Sequence, residues 1–177
     1  MRNSYDPGDV RRIIEQLTAR VASEFDSAQP LNIVGIRTRG EVLAERLAQA
    51  LARSRTGGSI GRGVLDITHY RDDLSEIGPR PLVRPTRIDI DIDNKPLLLV
   101  DDVIFTGRSV RAALDALCDF GRPSSIRLAV LVDRGGRELP IQANFVGLTL
   151  SDVPKDHRVN VRFAETDGRD EITVEPR

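Results

Sequence analysis

A single cysteine in 177 residues excludes an intrachain disulfide and any metal site built from several thiolates. That residue, Cys118, follows Leu114 by four positions on an apolar stripe, so it is expected to be a small buried hydrophobe rather than a nucleophile. His69 and His157 lack metal-ligand spacing, and no protein-held metal is expected. No apolar run approaches membrane-spanning length and no apolar signal segment opens the chain, which points to a cytoplasmic protein without membrane contact. Neither sign of charge dominates: 26 Lys and Arg stand against 27 Asp and Glu, a formal net charge of -1. A chain without a global basic field has no bulk attraction for DNA, although a local patch can still meet RNA. Repeats, low-complexity tracts, a glycine-rich run ending in Gly-Lys-Ser/Thr and a Gly-x-Gly-x-x-Gly fingerprint are all missing. What remains fits one domain spanning residues 1–177, large enough to bury a core without staples.

The stretch Leu97 to Leu117 organises the rest. Leu97, Leu98, Leu99 and Val100 form an apolar run too short for a helix, so it reads as a buried strand. Asp101 and Asp102 follow, at the carboxyl end of that strand, where open α/β sheets hold their ligands. Val103, Ile104 and Phe105 lead to Thr106, Gly107, Arg108 and Ser109, and then Val110, Ala113, Leu114 and Leu117 repeat at helical spacing. A helix start offers unpaired N–H groups and the positive end of a dipole, a cradle for phosphate. Carboxylates that accept from hydroxyls beside amides that donate to a phosphate describe a sugar phosphate site.

Elsewhere, Asp6 and Pro7 read as the cap and first turn of a helix with Val10, Ile13, Ile14, Leu17, Val21 and Phe25 on one face and Arg11, Arg12, Glu15 and Arg20 outside. Leu31 to Ile36 is a strand, joined by Arg37, Thr38, Arg39 and Gly40 to a helix carrying Leu43, Leu47, Ala50 and Leu51. Donors at Thr38 to Gly40 suit a second phosphate group. Ser54 to Gly63, with four glycines, reads as a connection, and Val64 to Tyr70 as a strand. Residues 71–87, rich in proline and arginine, read as a long exposed loop, and Ile88 to Asp93 alternates as a strand that would extend a two-stranded lid. Ile126 to Val132 is a further buried strand ending at Asp133 and followed by Arg134, Gly135, Gly136 and Arg137, at a position topologically equivalent to the acidic pair. Phe145 to Leu150, Arg158 to Phe163 and Glu171 to Glu175 read as strands, some of them in a small hood.

Val100 through Ser109 resembles the phosphoribosyl-pyrophosphate (PRPP) motif of type I phosphoribosyltransferases. With Asp66 to Leu74 and Gly121 to Ile141, the chain is similar to the pyrimidine operon attenuation regulator and uracil phosphoribosyltransferase family. The resemblance implies an α/β fold, a mainly parallel central sheet flanked by helices, with a flexible lid loop and a hood. It implies PRPP on Asp101 to Ser109 and on Thr38, Arg39 and Gly40, with Asp101, Asp102 and Arg39 catalytic. Tyr70 and Arg71 stand at the root of the lid, and Val132, Asp133, Arg134 and Arg137 are assigned to the base. Uracil and PRPP would give UMP and pyrophosphate, with Mg²⁺ bound mainly through PRPP, in a homo-oligomer, a dimer or tetramer. UMP or UTP sensing and leader mRNA binding are the family's regulatory side. Here the chain departs from the pattern: Gly136 replaces a common histidine, Gln142 an arginine, Leu148 a lysine, and Ser23 a histidine of the first helix. Arg11, Arg12, Arg20, Arg127, Arg137 and Arg158 remain as a possible basic patch. Two rivals stay open, an RNA-binding regulator with little catalysis and a purine-type phosphoribosyltransferase sharing the donor motif.

Overall fold

The structure is a computed structural model that describes residues 2–70, 85–150 and 152–177. Asp6 caps the first helix, α1 (Pro7–Glu24), through a reciprocal box: Asp9 N donates to Asp6 Oδ1 at 2.9 Å and Asp6 N donates to Asp9 Oδ2 at 3.2 Å. Its buried stripe is Val10, Ile14, Leu17 and Val21. Before it lies a two-residue strand, β1 (Ser4–Tyr5), and after it come β2 (Leu31–Ile36), α2 (Arg39–Ser54) and β3 (Ile60–Leu65). A 3-10 turn at Thr68–Tyr70 precedes the undescribed residues 71–84, so Arg71 and most of the expected lid lie outside the described residues.

The chain resumes into β4 (Pro96–Ile104), α3 (Arg108–Leu117), β5 (Ser125–Asp133), β6 (Phe145–Thr149), β7 (His157–Arg162), α4 (Ala164–Asp167) and β8 (Glu171–Pro176). Among the described residues, five strands pair in parallel in the order β3-β2-β4-β5-β6. Side chains of β4 alternate between two cores. Leu98 and Val100 join the cluster under α1 and α2, whereas Leu97 and Leu99 join the cluster under α3. Burial on both faces explains why this strand reads as an unbroken apolar run.

Four expectations are corrected. The strand placed at Val64 to Tyr70 starts earlier and stops at Leu65, because Ile60 to Leu65 pair with Leu31 to Ile36. Gly61, read as part of a connection, lies inside that strand under the Asn32 carboxamide, where a Cβ would fall 2.2 Å from Asn32 Oδ1. Ile88 to Asp93 forms no strand. Arg87 makes an isolated bridge to Val64, the Asn32 Nδ2 donates to Asp91 O at 3.0 Å, and Ile92 is buried in the α3-side core. The alternation there reflects one-sided packing. Cys118 is exposed, since it is the C-cap of α3 and the chain leaves the helical register at that residue.

The hood is a three-stranded antiparallel sheet, β1-β8-β7, made from both ends of the chain, while β6 joins the main sheet. Two arginines of α2, seven residues apart, grip the turn between β7 and β8. Arg46 donates to Glu165 (2.9 and 2.6 Å) and to Asp170 (2.7 Å twice), and its guanidinium lies 4.8 Å from the centre of the fully buried Phe163 ring. Hydrogen bonds from Arg46 hold both Glu165 and Asp170 below the ordinary carboxylate range. Among the described residues no helix is long and apolar enough to cross a membrane.

Because these folded-state values are lowered, the stability from the clamp is full above the unfolded carboxylate values and is lost as pH falls through and below about 4. Arg46→Met is expected to cost about 2 kcal/mol near neutral pH. Urea unfolding of both proteins checks it: the gap should narrow at acid pH, and a gap of constant size would refute the clamp.

Candidate active site

At the carboxyl ends of β2, β3 and β4 the sheet opens into a cavity of about 480 Å³. Asp101, Asp102 and Val103 of β4 form one wall and Ser109 of α3 another. Thr38 and Arg39 enter from the loop that starts α2. Sequence reasoning thus brought six of its proposed residues to one cavity. It missed Ile36, Asp66, Ile67 and Thr68, which line it together with Arg37. The signal for Asp66 to Thr68 was present, a polar break just past a parallel strand, but a strand placed through to Tyr70 hid it. Asp66 Oδ1 accepts from Thr68 N at 2.8 Å, which sets that turn.

The acidic pair sits inside the strand and not after it. β4 continues to Ile104, with Asp101 paired to Val130 and Val103 to Val132. Asp101 is buried, and its Oδ1 accepts from Asp102 N at 2.9 Å. Burial pushes the Asp102 carboxyl up from the ordinary value, opposed by hydrogen bonding with Asp101 and by the charge of Arg39. Gly40, in the first turn of α2, makes the approach of loop and strand possible: a Cβ there would lie 2.6 Å from Val100 O and 3.1 Å from Asp101 Cα. The positive end of α2 therefore stands beside the acids.

The loop into α3 is organised by the stretch after β5. Gly107 caps the helix at φ 92°, a left-handed conformation suited to glycine. Glu138 N and Leu139 N donate to Thr106 O at 3.0 and 3.1 Å, and Arg137 Nη1 donates to Phe105 O at 2.8 Å. Arg137 also meets Asp133 Oδ2 at 2.6 Å and Arg108 meets Glu138 Oε2 at 2.8 Å. Arg134 is buried, donates to the carbonyls of His157 (3.0 Å) and Pro154 (3.3 Å), and stacks 3.8 Å from the centre of the Phe105 ring. Val132 is fully buried. Of the residues assigned to the base, Val132, Asp133, Arg134 and Arg137 do not line the 480 Å³ cavity; their loop borders Phe105 and Thr106 instead. Ile104, Phe105, Thr106, Gly107 and Arg108 likewise frame the α3 start without lining that cavity. Tyr70 is tied to α3, its hydroxyl donating to Asp119 and its carbonyl accepting from Arg111 at 3.2 Å.

Comparison with known proteins accords with this geometry. The phosphoribosyl transferase domain model matches residues 5–164. The chain belongs to the phosphoribosyltransferase family. Within that family it is 49% identical over 166 residues to the bifunctional protein PyrR of Deinococcus radiodurans, covering 94% of this chain and 90% of the relative. It is 50% identical to the bifunctional protein PyrR of Thermus aquaticus, at 94% and 91% coverage. Solved phosphoribosyltransferases share its fold: a hypoxanthine-guanine phosphoribosyltransferase from Bacillus anthracis superposes with a TM-score of 0.68 at 14% identity, covering 98% of both chains. The hypoxanthine phosphoribosyltransferase of Trypanosoma cruzi gives 0.69 at 17% identity, covering 100% and 98%.

The contact of Gly40 with β4 generates a prediction for this phosphoribosyltransferase. Gly40→Ala is expected to lose about 1–3 kcal/mol, because backbone must shift to admit the methyl group. Gly57→Ala, with nothing within 4 Å of its Cβ, should stay within about 0.5 kcal/mol. Denaturant titration of the two variants checks it; equal stabilities would show that the α2 loop is not held against the strand.

Proposed function

We propose that this chain transfers a phosphoribosyl group from PRPP to uracil, giving UMP and pyrophosphate. The same nucleotide site would sense uridine nucleotides in a regulator that binds the leader RNA of pyrimidine genes. The observation that carries the reading is the acidic pair, buried Asp101 and half-buried Asp102, facing one cavity with the start of α2 and the start of α3. Two helix starts supply donors for two phosphate groups, and the carboxylates between them supply acceptors for ribose hydroxyls. The 5′-phosphate goes to Thr106 through Ser109, the hydroxyls to Asp101 and Asp102, and the pyrophosphate to the side of Thr38, Arg39 and Gly40.

In that pose the anomeric carbon is open to the nucleophilic nitrogen of the base. The carbon–oxygen bond to pyrophosphate breaks as the carbon–nitrogen bond forms, through an oxocarbenium-like state, and the proton on the attacking nitrogen is given up to the released pyrophosphate. Asp101 and Asp102 stabilise the positive charge on the ribose, and Arg39 stabilises the charge gathering on pyrophosphate. Holding donor and acceptor in register supplies the remainder, without a covalent enzyme intermediate. Mg²⁺ fits the donor set as a guest of the substrate. Asp101 and Asp102 both line the cavity, and burial pushes the Asp102 carboxyl up, so a cation carried on the substrate would be favourable beside them. Bound through PRPP oxygens, the ion would neutralise the leaving group.

Uracil is favoured over a purine because relatives at about 50% identity across nearly the whole chain are PyrR proteins, whereas likeness to the hypoxanthine enzymes is one of fold. On the regulatory side, Gly136 has a physical reason to lack a side chain. Its φ is +77°, and a Cβ would fall 2.6 Å from the Phe105 ring. A cationic group is thus shut out at that position. Arg20 is bound to Val146 O and Arg127 pairs with Glu24, so RNA contact must compete with these partners.

Asp101→Asn combined with Asp102→Asn is expected to lower UMP formation by about a thousandfold with the fold retained. Pyrophosphate release from PRPP, measured with a panel of free bases, checks both parts: an unimpaired double variant would overturn the mechanism, and preference for hypoxanthine or guanine would overturn the acceptor. Gel shift with the chain's own upstream transcript should show binding that is weak, steeply salt-dependent and strengthened by UMP; the absence of any UMP effect would remove the regulatory half.

A further inference from the structure

Arg39 meets the cavity already held from behind. Its Nη2 donates to Asp167 Oδ1 at 2.8 Å and its Nε to Asp167 Oδ2 at 3.3 Å, across 128 residues of sequence. This side-on pairing engages one edge of the guanidinium and turns the Nη1 edge away from Asp167. Asp167 is itself fixed, since its Oδ2 accepts from Phe163 N at 3.0 Å and from Thr166 Oγ1 at 2.7 Å. Phe163 is fully buried beneath Arg46, so the acid is bonded to backbone anchored in the core.

We propose that Asp167 is a positioning residue for phosphoribosyl transfer: it orients Arg39 so that the free edge of the guanidinium faces the leaving pyrophosphate. The inference rests on the donor-binding reading given above. An unrestrained arginine spreads over many rotamers, and collecting it into one at each turnover weakens donor binding. A carboxylate also cancels part of the positive charge that attracts pyrophosphate. The Arg39 side chain is 41% exposed, however, so solvent screens that cancellation while the geometric restraint persists. Orientation wins. The hood then acts in catalysis through a residue that touches no substrate.

Steady-state kinetics of R39A, D167A, D167N and the double variant R39A/D167A test this. R39A and D167A are expected to raise KM for PRPP about tenfold while KM for uracil changes less than about twofold. D167N, which keeps one acceptor oxygen for one of the two bonds, should raise it by about threefold, and the double variant should be no worse than R39A alone. If D167A leaves the PRPP KM unchanged or lowers it while R39A raises it, the positioning role is overturned and the pyrophosphate role of Arg39 stands. If R39A itself leaves that KM unchanged, the donor-binding reading fails and the proposal with it. Should D167A not fold, D167N decides alone, a threefold rise supporting the role and an unchanged or lowered value overturning it.

Discussion

Two adjacent carboxylates are held within a strand that is buried on both faces, and most of the architecture answers that constraint. A charged pair in such a place is costly unless dipoles, donors or a ligand compensate it. Here the backbone of Asp102 donates to Asp101, the first turn of α2 closes against the strand through Gly40, and Arg39 contributes positive charge. Burial still pushes the Asp102 carboxyl upward, so these neighbours offset only part of its desolvation.

The second organising feature is the use of arginine to join parts distant in sequence. Arg39 and Arg46 on one helix fix the turn from Phe163 to Asp170, and Arg134 ties the loop after β5 to the start of β7 while stacking on Phe105. Guanidinium groups suit this work because they make two directed bonds and stack on a ring at once. The consequence is a hood that is not an independent lobe. It is tied to the start of α2 at Arg39 and, through Arg134, to the loop before α3 at Phe105.

Much of this was legible in the sequence where local chemistry and fold agree. The capped α1, the apolar run that leads into Asp101, the glycine that opens α3 and the acidic pair toward the carboxyl end of β4 all follow from patterns a few residues long. Legibility failed where a distant partner decides. Gly61 and Gly63 looked like a loop because the Asn32 carboxamide and the Ile88 side chain that crowd them come from elsewhere in the chain. Ile88, Ile90 and Ile92 alternate like a strand but pack against a core without pairing. Cys118 kept the helical spacing of its neighbours after the helix had ended.

The amino-acid sequence by itself determined the class of fold and set the acids of β4 beside a helix start, because the strand, its acids and the following helix are contiguous and need only short-range geometry. Tertiary structure alone decided which arginine points where. Arg39 reads as a loop cation and Arg134 and Arg137 as members of a base-binding loop, and only the packed chain shows one paired with Asp167 and the others donating to carbonyls and Asp133. The reason is physical: a long flexible side chain carries little local conformational preference, so its direction is set by whichever acceptors the fold brings within reach.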